Sequence, residues 1–129
     1  MRYLKDEELQ LASRFLFLSM AIVVLKQDII QIQSGAFKIK EPYNDLIEKM
    51  ISKAVNERRE LRKTMEDMHI RVVKVNKNDS FSSYLFLSGG REEKRNFFNP
   101  AIRKHVELII KELMNKTLQP SHPSAVAKS

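Results

Sequence analysis

Residues 15–25, Phe-Leu-Phe-Leu-Ser-Met-Ala-Ile-Val-Val-Leu, form an uncharged run inside a longer stretch of helical spacing. Leu9, Ala12, Phe15, Leu16, Leu18, Ile22, Val23, Leu25, Ile29, Ile30 and Ile32 cover more than one face of a helix over 5–33. A helix that is apolar nearly all round has to be covered on most sides. Any fold for this chain must therefore wrap other elements around that helix or pair it with a second subunit. The run is short of the roughly 20 apolar residues that a bilayer span requires. Arg14 and Lys26 close it, and Asp6, Glu7 and Glu8 precede it where a signal peptide would be basic. These features predict a buried helix in a cytoplasmic protein with no transmembrane segment. The acidic first turn suits the helix dipole, and Gly35 is a stop signal.

A connection over 36–42 leads to Pro42, a residue suited to a first helical turn. From about 43 to 68 the apolar spacing is that of a heptad seam: Ile47, Ile51, Ala54, Arg58, Leu61, Met65, Met68. Two readings are open for this seam. Helix two packs on helix one as an antiparallel hairpin, or Ile47, Ile51, Ala54, Arg58, Leu61 and Met65 form an interface between two copies. In either case Arg58 must snorkel, find a carboxylate or set register.

After His69 the period changes. Ile70 to Val75 is short and β-branched, Asn76 to Ser80 is turn chemistry, and Phe81 to Leu87 alternates, with Phe81, Ser83, Leu85 and Leu87 on one face. This predicts a β-hairpin. Ser88-Gly89-Gly90 then breaks the strand, and residues 91–98 read as a charged and aromatic loop. Asn99-Pro100 opens a third helix that runs to Leu118, with Ile102, Val106, Ile109 and Leu113 as its buried stripe, widened by Ile110 and Met114. The expected fold is α+β and mostly helical: two long antiparallel helices, a β-hairpin and a C-terminal helix. One domain spans 1–118, and 119–129, with two Pro and three Ser, is a disordered tail.

Several functions lack support. The chain has no Cys, so thiol catalysis and thiolate metal sites are excluded. His69, His105 and His122 have no metal-ligand spacing, and no metal or other cofactor is expected. No nucleophile elbow is present. Leu87-Ser88-Gly89-Gly90-Arg91 resembles the signature loop of ABC-type ATPases, but the phosphate-binding loop that gives it meaning is missing. No catalytic residue is assigned, and the chain is expected not to be an enzyme.

Charge is the remaining signal. The chain carries 23 Lys and Arg against 16 Asp and Glu, a net charge of +7, and most of the excess follows residue 70. Arg71, Lys74 and Lys77 fall on the hairpin, Arg91, Lys94 and Arg95 in the following loop, and Arg103 and Lys104 in the first turns of helix three. If these converge, they form a surface able to neutralise several phosphates. Tyr84 and Phe86 share one hairpin face and are candidates for base stacking. A hairpin beside a helix is the layout of a winged DNA-binding module, although the two preceding helices are too long for one. The first expectation is therefore a small basic regulatory protein, a homodimer that contacts nucleic acid. The alternative is an adaptor that takes a protein partner on the apolar surface of helices one and two, with an acidic protein among the candidate partners.

Overall fold

The computed structural model describes residues 3–119. It contains α1 (Asp6–Ser34), α2 (Glu41–Asp67), β1 (Ile70–Lys77), β2 (Phe81–Ser88), β3 (Arg91–Phe98) and α3 (Asn99–Leu118). The α+β, mostly helical architecture and its helix-helix-strands-helix order are as the residue pattern predicts. The disordered tail expected over 119–129 lies, from residue 120 on, outside the described residues.

The sheet departs from the expected hairpin by a whole strand. Residues 91–98 are not a loop but β3, and the strands form one antiparallel sheet in the order β1-β2-β3. Gly89 and Gly90 take φ values of 50° and 82°, so the strand break is a two-residue hairpin turn. It folds β3 back so that Ser88 pairs with Arg91 and Phe81 with Phe98. A bulge at Val75 interrupts the β1–β2 register between Lys74 and Asn76.

The sheet has two unlike faces. Ser82, Tyr84, Phe86 and Ser88 point inward and are buried, whereas Ser83, Leu85 and Leu87 alternate with them on an outer face and are half-buried. The face predicted to be shared by Phe81, Ser83, Leu85 and Leu87 is therefore the outer one. Tyr84 and Phe86 lie in the core and cannot present their rings to stacked bases.

α1 runs through the whole fold and has two environments. Its first half lies beneath the sheet, where Leu4, Ala12, Met65, Ile70, Tyr84 and Phe86 form a buried cluster. Its second half packs with α2 and α3, burying Phe17, Leu18, Ala21, Ile22, Leu25, Met50, Ala54, Val106, Ile109 and Leu113. The apolar run is thus covered from three directions within one chain. Over its full length α1 is long and apolar enough to cross a membrane, a criterion that the run 15–25 alone does not meet.

The heptad seam packs against α1 in the same chain. Ala54 and Met65 are buried, and Ile47, Ile51 and Leu61 are half-buried against the cluster. Arg58 tolerates its core-like position in a specific way. Its guanidinium lies 4.7 Å above the Phe15 ring, and its Nε donates to Ser19 Oγ at 2.7 Å. Arg14 ties the three helices together. It donates to both carboxylate oxygens of Glu57 on α2 at 2.6 and 2.9 Å, and to both of Glu112 on α3 at 3.0 and 3.1 Å. Chiefly through the Arg14 hydrogen bond, the Glu112 carboxyl is held below the usual carboxylate range.

Candidate docking groove

Apolar spacing on α3 builds one wall of an open groove. Val106, Ile109 and Leu113 face the core, which leaves Ile102 and Ile110, one turn to either side of Val106, half-buried along its flank. Met20 and Val24 of α1 lie alongside, and the buried Tyr84 of β2 completes an apolar floor. Burial pushes the Tyr84 hydroxyl above its ordinary pKa, so it stays neutral. From Ile102 to Ile110 the floor spans about 12 Å of helix axis, a little over two turns. The groove encloses about 1050 Å³.

The far wall is the β1–β2 turn, held in place by Asn99. Its side chain makes no capping hydrogen bond to α3. Instead its Nδ2 donates to the carbonyls of Asn78 and Asp79 at 2.9 and 3.1 Å, and its Oδ1 accepts from Ser82 Oγ at 2.7 Å. Its backbone N–H donates to Ser80 O at 2.8 Å. The start of α3 and the turn are thereby fixed to each other, and they hold the groove open between them.

The rim is cationic. Lys74 and Lys77 of β1 and Arg103 and Lys111 of α3 face Asp79 and Glu107. Lys104 and Lys111 both pair with Glu107, at 3.0 and 3.7 Å, and hold its carboxyl below the usual range, the Lys104 hydrogen bond being the main cause. Among the described residues Lys74, Lys77 and Arg103 make no ion pair.

The eight basic residues singled out from the sequence therefore have different fates. Lys74, Lys77 and Arg103 line the groove together. Lys104 lies beside it, engaged with Glu107. Arg91 Nη2 donates to the buried Glu8 carboxylate at 2.7 Å, and Arg95 Nε donates to Glu93 at 2.6 Å. Arg71 and Lys94 stand on the outer face of the sheet, turned away from the groove. Lys111 and the half-buried Met20 and Val24 were not singled out, and Ile110 was read only as widening the buried stripe of α3. The signal for them was present in α3, where Arg103 and Lys111 flank the Ile102-Val106-Ile110 stripe on one side.

Among the described residues no three His, Asp or Glu side chains gather as metal ligands would. His105 stacks on Phe17 with ring centroids 4.6 Å apart, and His69 turns the chain from α2 into β1 with a left-handed φ of 56°.

Fold and surface together define a small α+β protein in which a three-helix bundle is joined to a three-stranded antiparallel sheet. The chain belongs to the YhjD family, whose description, YhjD protein, matches residues 3–118. It is 33% identical over 107 residues to the "Uncharacterized protein YhjD" of Bacillus subtilis (strain 168), covering 83% of this chain and 89% of that one. No solved structure matches it significantly.

Proposed function

We propose that this protein is a non-enzymatic binding module whose groove takes an acidic amphipathic helix from a protein partner. The observation that supports this reading is an apolar floor beneath a cationic rim. A helix with apolar anchors at i, i+4 and i+7 or i+8 presents about two turns, the length of the Ile102–Ile110 wall. Its acidic flanks meet Lys74, Lys77 and Arg103, which make no ion pair among the described residues. This keeps the adaptor alternative but moves its surface, since the seam on α2 packs inside the chain. A nucleic-acid duplex fits the groove less well. It has phosphates for the rim but no apolar ridge for the floor, and Arg91 and Arg95 are held by carboxylates.

Fluorescence anisotropy tests the proposal with two probes: a labelled helical peptide bearing Leu at the anchor positions and Glu elsewhere, and duplexes of DNA and RNA. The peptide is expected to bind with Kd in the micromolar range, and Lys74→Glu/Arg103→Glu to weaken it by roughly a hundredfold. A salt-steep affinity for the duplexes without peptide binding would replace this reading with the nucleic-acid one.

A further inference from the structure

Among the described residues no element lies over the outer face of the sheet. Four cross-strand rows make up this face: Arg71, Leu87 and Glu92; then Val73, Leu85 and Lys94; then Asn76, Ser83 and Asn96; and finally Phe81 with Phe98. Val73 is 36% exposed and Phe81 and Phe98 are about half exposed, while Leu85 and Leu87 form an apolar centre on β2. The first row ends in opposite charges. Arg71 and Glu92 stand two strand spacings apart, about 10 Å, too far to pair across the sheet. Among the described residues neither makes an ion pair.

A charge pattern of this kind is self-complementary. A two-fold axis parallel to β2, lying just above the face, places β1 of one copy over β3 of the other. Arg71 of each protomer then stands over Glu92 of its partner, and Leu85 and Leu87 meet their own copies. The aliphatic stem of Lys94 covers Val73 of the partner. Both halves of the contact are the same patch, as a two-fold interface requires.

We infer that the protein forms a homodimer by stacking the outer faces of two sheets, with Arg71 and Glu92 paired reciprocally across the two-fold axis. Three strands of eight residues present a patch of about 14 by 26 Å, so two such faces cover about 730 Å² in projection and bury less than about 1,200 Å² in total. That lies at the low end for a specific interface, and the dimer is accordingly a weak one. The groove is lined by the inner face, so dimerisation leaves both grooves open. The dimer is independent of what the groove binds.

Sedimentation velocity of the full chain from about 5 μM to about 500 μM tests the inference, in the concentration range of weak interfaces. A monomer–dimer equilibrium is expected. Arg71→Glu and Glu92→Arg should each weaken it by roughly tenfold or more, and the double exchange should restore it. Leu85→Gln, at the centre of the patch, should also weaken it, with far-UV circular dichroism confirming that each variant is folded. A monomer throughout the range would overturn the inference. So would a dimer indifferent to Arg71→Glu and Leu85→Gln, or a double exchange that fails to restore association.

Discussion

Glu8 shows how far a single residue's role can lie from its local pattern. In the sequence it is the third acid of an acidic first turn, suited to the helix dipole. In the fold its side chain is buried and joins α1 to the second hairpin. Its Oε2 accepts from Ser88 Oγ and from Arg91, each at 2.7 Å, while Oε1 accepts from the Lys5 backbone N–H at 2.8 Å. The Ser88 hydrogen bond is the largest cause of its lowered pKa, followed by the Lys5 hydrogen bond and the Arg91 charge. A folded-state pKa below the unfolded one means that this stabilisation is complete above about pH 4.5 and is lost as pH falls through the folded value. Glu8→Gln should therefore cost about 1–3 kcal/mol at pH 7. In urea titrations the gap between variant and wild type should narrow as the pH is lowered below about 4.5. No spacing rule links Glu8 to partners 80 and 83 residues away. For the same reason the Arg14 clamp was invisible in a sequence where Arg14 only bounded an apolar run.

At the scale of elements, legibility followed periodicity. The helices and the first hairpin were readable because their apolar residues recur at 3.6 or 2, and Pro42 and Pro100 stand in first helical turns as read. β3 was hidden by its composition. Arg-Glu-Glu-Lys-Arg-Asn has little strand propensity and no apolar alternation. Its inward charges are met by other charges, Arg91 by Glu8 and Arg95 by Glu93, while Glu92, Lys94 and Asn96 face solvent. The local residues that specify this strand are Gly89 and Gly90, whose positive φ matches the twist of a two-residue hairpin. Nothing fills the space a Cβ would occupy at Gly90, so the constraint there is conformational and not steric crowding. Gly90→Val should lower stability by about 1–2 kcal/mol, and Gly90→Asn by clearly less, because Asn tolerates the left-handed region. Chemical denaturation of the two variants side by side checks the order.

Across the whole molecule, the basic excess after residue 70 divides between three places. Part lines the groove, part pairs with carboxylates, among them the Glu8 that joins the sheet to α1, and part stands on the outer face of the sheet. The sequence could place charges on elements but not on faces, because the face of a strand depends on a register that only the third strand completes. The groove is where an apolar floor meets Lys74, Lys77 and Arg103, which make no ion pair among the described residues, and that meeting is the central claim. Methyl-resolved NMR during titration with the acidic helical peptide tests it most directly. Shifts are expected at Met20, Val24, Ile102, Val106 and Ile110, while Ile47 and Ile51 on the α2 seam and Leu85 and Leu87 on the outer face stay unchanged. Groove methyls that do not respond, or shifts concentrated on the seam or the outer face instead, would contradict it.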